Sequence, residues 1–374
     1  LITNLESLEG LGVSKSGEIR YLLTSSNTKQ GFHTFIPDLI QGLRKIYILK
    51  GAAGSGKSTF IRLLGESLSE KGYEIEFWIS ALDPVSPDGV YIPRLGAAVI
   101  NGSLPQPIDP RYPGATGHII YLGDYRNSKD LNGKTREIID LIDRQDEQNA
   151  KAFEVLRIAA QVREEVKRPA RDCLSVANIR GLIEELASEL LREQPGERHY
   201  FASAVTADGM VNYIDEISYE CKRRYILTGP PGSGKSMVIT ELARMAREKG
   251  YFLEYYHCGF DLESIVMVII RNLQLALIDG GNMELSIKPW DIVIDMEGFL
   301  ENYDAEAAAI QSSEACRNYE SLMLDAEVKL ESAHVTLKEL KKVFTAFMDF
   351  EQLDCKRQEV LEDIINNGSR PQFL

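Results

Sequence analysis

The sequence predicts an α/β fold in two tandem domains, each a mainly parallel sheet flanked by helices and extended by a helical appendage. Three observations support this prediction. The sequence repeats itself after about half its length, strand-like and helix-like segments alternate, and a glycine-rich loop follows a strand in each repeat. A chain of 374 residues is also long enough for two domains of ordinary size.

The repeat is seen when the sequence is shifted by 178 residues. Residues 31–73 and 209–251 then share seventeen identities in forty-three positions, and only six of these lie in the glycine-rich loop. Unrelated sequences of ordinary composition would share about two or three. The segment 192–198 is charged and contains a Pro-Gly pair, which is typical of a linker. We therefore predict one domain at 1–195 and a second at 196–374.

Both halves show the same order of predicted elements. The order is a strand, a glycine turn, a short strand, a short helix, an apolar strand, the glycine-rich loop, a helix and a further strand. The strands are predicted at 21–25, 32–36, 46–49 and 73–79 in the first half and at 200–205, 210–214, 225–227 and 251–257 in the second. The helices after the loops, 58–70 and 236–248, end at a Lys-Gly pair, a common helix stop.

Each half closes with a long helical stretch, at about 135–191 and 305–366, in which apolar residues recur at helical spacing. Pro169 interrupts the first stretch and predicts a hairpin there. The simpler interpretation of both stretches is a packed helical appendage. The alternative is a mobile lid or an arm that docks a protein partner.

The glycine-rich loops carry the strongest chemical signal in the sequence. Residues 51–58 and 229–236 both match the pattern G-x-x-x-x-G-K-[ST]. Its glycines let backbone amides close around a phosphate, and the helix that begins at the lysine directs the positive end of its dipole to the same place. Each copy follows an apolar strand and begins a helix, so we predict two P-loop NTPase domains that bind ATP and Mg²⁺. The predicted nucleotide-binding residues are Gly51, Gly54, Ser55, Gly56, Lys57, Ser58, Thr59, Gly229, Gly232, Ser233, Gly234, Lys235 and Ser236.

Within these loops, Lys57 and Lys235 are the predicted catalytic cations, because the lysine of this pattern reaches the β- and γ-phosphates. Ser58 and Ser236 are predicted to bind Mg²⁺ through their hydroxyls. The sequence pattern singles out no arginine or glutamine that would orient water or stabilise developing charge.

A magnesium site of this kind also needs a carboxylate. Asp279 ends the apolar run 275–279 and is the predicted third metal ligand. The equivalent residue of the first half is Asn101, a neutral amide that cannot offset the charge of the metal, so weaker Mg²⁺ binding is predicted there. Asp295, at the end of 292–295, is an alternative ligand in the second half.

Asp83 and Asp261 follow the strand after each P-loop helix and form a second pair of candidate catalytic residues. In a small kinase, a carboxylate in this region would bind the acceptor hydroxyl or act as its base. The alternative is structural, an aspartate that caps the next helix. His33 and His118 have no histidine counterpart in the second half and are interpreted as structural or surface residues.

The composition disfavours several classes of partner. Lys and Arg total 42 against 56 Asp and Glu, a net charge of −14, which disfavours general nucleic-acid binding. No apolar run reaches the roughly 18 residues of a membrane span, so no membrane association is predicted. The five cysteines are widely separated, which argues against a disulfide framework and for a reducing, cytoplasmic location.

The base preference is predicted from a missing motif. Many GTPases recognise guanine with the signature Asn/Thr-Lys-x-Asp, which the sequence lacks. Residues 28–31 read Thr-Lys-Gln-Gly and fail at the last position. ATP is therefore favoured over GTP.

Besides its glycine-rich loop, each half has a Lys-Gly-Tyr sequence at the end of the following helix and a strand end at Asn101 or Asp279. In these features the sequence resembles a family of bacterial tandem P-loop ATP-binding proteins, found mainly in spore-forming Gram-positives. The resemblance extends over nearly the whole length and includes the segment 102–115. It implies two fused ATP-binding domains and no established substrate. Asn101 and Gln106 stand where the family pattern has Asp and His, which implies a first site that is not fully active.

The predicted function is Mg-dependent ATP binding and slow hydrolysis, with the second site the more active. The main alternative is a kinase that transfers the γ-phosphoryl group to a small molecule or nucleotide, with Asp83 or Asp261 at the acceptor. A third possibility is a nucleotide-responsive scaffold that binds a protein partner through its helical segments without turnover.

Overall fold

The computed structural model describes residues 17–83, 85–126, 132–190, 196–281 and 285–368. The elements of the first half are β1 (Ile19–Leu23), β2 (Ser25–Thr28), β3 (Gly31–Thr34), α1 (Ile36–Leu39), β4 (Lys45–Lys50), α2 (Lys57–Glu70), β5 (Ile75–Ile79), β6 (Pro87–Ile92), β7 (Ala97–Asn101), β8 (Gly117–Tyr121), α3 (Thr135–Asp172) and α4 (Val176–Leu190).

The second half repeats this order element for element. Its elements are β9 (Gly196–Phe201), β10 (Ser203–Thr206), β11 (Gly209–Asn212), α5 (Ile214–Ile217), β12 (Arg223–Thr228), α6 (Lys235–Glu248), β13 (Phe252–His257), β14 (Ile265–Ile270), β15 (Leu275–Asp279), β16 (Ile292–Asp295), α7 (Ala305–Thr345) and α8 (Phe350–Gly368). Up to the strand after each loop the structure follows the predicted order, except that the first predicted strand of each half is two strands, β1 and β2 or β9 and β10. Strands β6, β8 and β14 were not predicted either, and β6 begins at Pro87 and contains Gly89, two residues that weaken a strand pattern.

Within the described residues, twelve strands form one continuous sheet in the order β16-β12-β15-β14-β13-β9-β1-β5-β6-β7-β4-β8. In each half, the strand before the glycine-rich loop lies between two parallel neighbours, while β6 and β14 run antiparallel to both of theirs. At the centre, β1 and β9 pair antiparallel through Leu23 and Phe201. The predicted fold class is confirmed at this level: an α/β fold with a large, mostly parallel sheet flanked by helices.

The expectation of a separate sheet in each half was wrong, and so was the assignment of 196–198 to a linker. Residues Gly196–Phe201 form β9, which lies in the middle of the sheet and pairs in parallel with β13. Pairing of β1 with β9 covers two strand edges that would otherwise expose unpaired N–H and C=O groups. Because this central pair is antiparallel, the strands before the two glycine-rich loops run in opposite directions. The two loops therefore lie at opposite ends of the strands.

The long helices α3 and α7 pack side by side and contact the hairpin strands β2 and β10, which lie outside the twelve-stranded sheet. At 1.5 Å per residue, their 38 and 41 residues each span about 60 Å. They run antiparallel, since Arg144 of α3 pairs with Glu339 of α7 at 3.7 Å, and Gln148, one turn later on α3, donates to Ser332, earlier on α7, at 2.9 Å. The hairpin predicted at Pro169 was misplaced. The proline lies in the last turn of α3, where one missing hydrogen bond is tolerated, and the chain turns after Asp172.

We call α3–α4 the first arm and α7–α8 the second arm, and the arms are exchanged between the halves. Helix α4 of the first arm packs on α6, where Ile179 and Val238 share one buried cluster. Helix α8 of the second arm packs on α2, where Leu353 and Phe60 share another. Each helical appendage therefore completes the core of the opposite half, which no local pattern in the sequence indicated.

An ion network crosses the central strand pair and joins the halves further. The carboxylate of Glu76 pairs with Arg20 at 2.9 Å and with Arg198 at 3.5 Å, and that of Glu254 pairs with Arg271 at 2.8 Å and with Arg20 at 3.5 Å. Both glutamates are almost completely buried. Each therefore receives one arginine from each half, and removal of an arginine would leave a buried charge poorly compensated.

Two helical glycines are expected to respond to alanine with opposite signs. A Cβ at Gly181 in α4 would meet no atom within 4 Å, whereas a Cβ at Gly65 in α2 would lie 2.5 Å from the Phe77 ring. Gly181→Ala should therefore raise the free energy of unfolding by about 0.5–1 kcal/mol through helix propensity. Gly65→Ala should lower it by about 1–3 kcal/mol through overpacking. Urea unfolding of both variants checks this, and a loss of stability at position 181 would contradict it.

Candidate functional site

Both glycine-rich loops turn through left-handed backbone conformations before entering a helix. The φ angles are +79° and +91° at Gly54 and Gly56, and +90° at both Gly232 and Gly234. Residues with a side chain rarely adopt these angles, so the loop needs its glycines. Helices α2 and α6 begin at the lysine that follows, which leaves the unpaired N–H groups of the first turn at the loop.

The two loop lysines are held in the same way. Lys57 Nζ donates to the carbonyl oxygens of Gly51 and Ala52, both at 2.8 Å, and Lys235 Nζ makes the equivalent pair of bonds at 2.9 Å. Burial lowers the pKa of Lys57 to about 8 and also lowers that of Lys235. A buried ammonium held by neutral carbonyls is further stabilised by an anion beside it.

In the second half, the loop opens into a cavity of about 650 Å³ lined by Lys235, Ser236 and Asp279. Lys235 Nζ lies 3.9 Å from Asp279 Oδ1, which also accepts a hydrogen bond from the Gly281 amide at 2.9 Å. Burial raises the pKa of the Asp279 carboxyl. The cavity therefore brings together an ammonium, a hydroxyl and a carboxylate from three of the sequence candidates.

One wall of this cavity comes from the first arm. Arg163, Lys167 and Arg171 line it from α3, and a Cβ on Gly232 would fall 2.3 Å from the Lys167 carbonyl oxygen. Helix α3 thus passes directly over the glycine-rich loop of the other half. Sequence analysis missed these three residues, although their spacing of four places them on one helix face.

The first-half loop is covered by the second arm in the same manner. A Cβ on Gly54 would fall 2.3 Å from the Lys341 carbonyl oxygen, and Thr345 Oγ1 donates to the Gly54 carbonyl at 3.0 Å. Lys341 therefore occupies the place over this loop that Lys167 occupies over the other. Leu337 lies four residues before Lys341, as Arg163 lies four residues before Lys167. The second arm therefore has Leu337 at the position that Arg163 occupies in the first arm.

The first half also has a carboxylate that the sequence analysis missed. Asp88 lies on β6, is buried, and accepts a hydrogen bond from Asn101 Nδ2 at 3.1 Å. Burial raises the pKa of Asp88 to about 6, although the charge of Lys57 opposes this shift. The corresponding residue of the second half is Val266. The first half therefore has an amide at Asn101 and a carboxylate at Asp88, and the equivalent residues of the second half are Asp279 and Val266. The acidic group has a different position in each site.

Asp83 and Asp261 do not cap helices, so the structural alternative given for them was wrong. Each instead holds a turn and pairs with a lysine: Asp83 with Lys341 at 2.7 Å and Asp261 with Lys29 at 2.8 Å. Asp261 lines a second cavity, of about 1030 Å³, which adjoins the first at Ser236. The structure therefore brings Asp261 near the second loop. Asp83 instead holds the second arm against the first half through its ion pair with Lys341.

The remaining sequence candidates, Asp295, Thr59, His33 and His118, do not line the P-loop cavity of the second half. Asp295 is exposed and accepts a hydrogen bond from the Glu297 amide at 3.0 Å, so Asp279 is the better placed of the two alternatives. Thr59 is exposed on α2. His33 packs against the Phe35 ring and His118 stacks on Tyr47, in keeping with structural roles.

The fold and the two loops are consistent with a P-loop NTPase-like fold, and the comparison with curated proteins points the same way. Over 99 residues, 26% of this chain, it is 29% identical to a mitochondrial AAA-ATPase from Arabidopsis thaliana, and the match covers 22% of that protein. This partial likeness supports a relationship to P-loop ATPases. No family model matches the chain, and no solved structure matches it.

Three further properties concern the described part of the chain. None of its helices combines the length and the apolar character needed to cross a bilayer. All five cysteines are free thiols. Within the same residues, no group of three or more His, Cys, Asp or Glu side chains is arranged to hold a metal ion.

Proposed function

We propose that the chain binds ATP with Mg²⁺ at both P-loops and hydrolyses it slowly, mainly at the second. The observation that supports this most directly is the wall of the P-loop cavity in the second half, where Lys235, Ser236 and Asp279 converge beside a glycine-rich loop. An ammonium and a ring of backbone amides suit polyphosphate, and the neighbouring hydroxyl and carboxylate suit a hard cation.

The residues at the second loop fit magnesium. Ser236 and Asp279 would supply one hydroxyl and one carboxylate oxygen, and Mg²⁺ is usually held by one or two carboxylates together with substrate phosphates and water. The raised pKa of Asp279 reflects a buried carboxyl that a cation would favour in its ionised form. When bound, the metal neutralises part of the phosphate charge.

In hydrolysis, the oxygen of a water molecule bonds to the γ-phosphorus, and the bond from that phosphorus to the bridging oxygen breaks. ADP leaves with the bonding electron pair, and phosphate leaves with the oxygen of the water, which releases a proton. Lys235 would stabilise the charge on the terminal phosphates, and the loop amides would orient them. At the first loop Lys57 and Ser58 would bind in the same way, but Asn101 supplies no charge and Asp88 is buried beside it.

The test compares Lys57→Ala and Lys235→Ala with the unaltered protein. ATP affinity at equilibrium and steady-state phosphate release are measured with Mg²⁺ present. We expect Lys235→Ala to lower turnover at least 100-fold and Lys57→Ala to lower it less than tenfold, with each variant losing one bound nucleotide. Equal losses from both would contradict the asymmetry. No affinity of the unaltered protein for ATP, GTP or their diphosphates would overturn the proposed function.

A kinase is the second candidate, and one observation favours it. The cavity that Asp261 lines adjoins the P-loop cavity at Ser236 and has room for a small acceptor. Asp261 would bind the acceptor hydroxyl, which attacks the γ-phosphorus in place of water and gives up its proton. Phosphate release without any acceptor favours the ATPase, whereas label from γ-labelled ATP on a small molecule favours the kinase.

Several finer predictions belong to the same proposal. These are a tandem P-loop ATP-binding protein of the bacterial type, a domain boundary near 195 and 196, a preference for ATP over GTP, and a cytoplasmic location. A scaffold that binds a protein partner through its arms is the third candidate. Tight ATP binding without turnover, together with nucleotide-dependent capture of that partner, would support it.

A further inference from the structure

Arg163 is a partly buried cation that forms no salt bridge in the described part of the chain, although the charge of Asp261 acts on it. Its guanidinium lies over the Phe260 ring, 5.2 Å from the centroid, and Nη1 lies 3.7 Å from the Cys258 sulfur. Neither contact neutralises its charge. The neighbouring cations Lys167 and Arg171, in contrast, both pair with Glu164.

This unpaired charge is directed to the second P-loop cavity. Arg163 lines the cavity together with Lys235, and its charge adds to burial in lowering the pKa of that lysine. It also acts on the carboxyl of Asp279, in the opposite sense to the burial that raises the pKa. Two cations in one partly buried cavity repel each other, and an anion between them removes the repulsion.

We propose that the first arm completes the second nucleotide site, with Arg163 stabilising the charge on the terminal phosphate of ATP. This inference rests on the proposed function and adds to it a residue from the opposite half of the chain. Arginine suits the role because its planar guanidinium binds phosphate oxygens in pairs. In other phosphoryl-transfer enzymes an arginine supplied from outside the phosphate loop accelerates the reaction by about 10³–10⁵.

The first site provides an internal comparison. The second arm crosses the first P-loop in the same way but places Leu337 at the position of Arg163. An apolar side chain is therefore compatible with the packing of an arm over a loop. The two sites differ in this residue as well as in the position of the carboxylate, and both differences make the second site the more active.

The experiment uses Arg163→Met, which keeps the apolar stem over Phe260 and removes the charge, in a Lys57→Ala background that leaves only the second site. The matched control is Arg168→Met, an exposed arginine on the same helix. We measure phosphate release and the affinities for ADP and for a non-hydrolysable ATP analogue. We expect Arg163→Met to lower turnover at least 100-fold and to weaken analogue binding at least tenfold, with ADP affinity changed less than twofold.

The control should leave all three quantities unchanged, and Arg163→Lys should regain part of the analogue affinity because it restores a point charge. Equal weakening of ADP and analogue would assign Arg163 to packing and overturn the proposal. So would unchanged turnover and affinity in Arg163→Met while Lys235→Ala remains inactive, and the proposed function would then stand. Absence of nucleotide binding by the unaltered protein would overturn both.

Discussion

Arg224→Ala is expected to lower the free energy of unfolding by about 3–5 kcal/mol, the cost of breaking a buried ion pair from one side. Arg224 lies on β12 and is completely buried, and its guanidinium donates to both carboxylate oxygens of Asp291, at 2.7 and 3.0 Å. It also donates to Asp215, at 3.0 Å, and to the Ser286 carbonyl, at 2.7 Å. Alanine would leave the buried Asp291 carboxylate without its cation. Urea denaturation measures the change.

The first half shows how the same position is filled without charge, because Ile46 stands there in β4. Arg224→Ile combined with Asp291→Leu should therefore regain most of the stability that Arg224→Ala loses, since apolar replacements of buried pairs are often neutral. Arg244→Ala is the control, because this exposed arginine pairs with the neighbouring glutamates Glu241 and Glu248 on its own helix, α6. A small loss in Arg224→Ala, similar to the control, would contradict the prediction.

The sequence was most informative where structure depends on neighbouring residues. The glycine-rich loops were located to the residue because their φ angles, the preceding apolar strand and the following helix all leave local signals. The runs 275–279 and 292–295 are strands with those same bounds. These features need no knowledge of what packs against them.

The exchange of arms and the joined sheet could not be found in this way. Helix α4 reads as an amphipathic helix whichever half it packs on, because the apolar stripe is the same in both cases. The pairing of β1 with β9 is likewise a contact between distant segments. Pro169 was misread because the helix continues through the proline to Asp172, although the proline removes one hydrogen bond to the turn before it.

The same distinction holds for the candidate site. Lys235, Ser236 and Asp279 belong to one half and follow from its motif and strand ends. Arg163 comes from an arm whose destination only the fold reveals. Asp88 was missed for another reason: the repeat pairs it with Val266, so comparison of the halves suggested no shared role. In a duplicated chain, positions at which the halves differ deserve the same scrutiny as those at which they agree.

Acidification is expected to destabilise the protein through His257, which is buried beside the central strand pair. Its Nδ1 donates to the Leu262 carbonyl at 2.6 Å, so its Nε2 accepts from His199 Nδ1 at 2.8 Å. A proton on Nε2 would point at the donor of His199. Burial is the main cause that lowers the pKa of His257, to about 4, and the charges of His199 and His33 act in the same direction.

Because the unfolded chain binds this proton near pH 6.5 and the folded chain only near pH 4, the stabilising contribution of a neutral His257 is complete above pH 6.5. It is lost as the pH falls towards 4, by about 3 kcal/mol in total at 1.36 kcal/mol per pKa unit. His257→Ile is the matched variant, since Ile79 fills the equivalent position of the first half. Urea unfolding from pH 7.5 to 4 should show a smaller loss of stability for this variant than for the unaltered protein. Parallel curves would mean that His257 titrates alike in both states and would contradict its neutral, buried role.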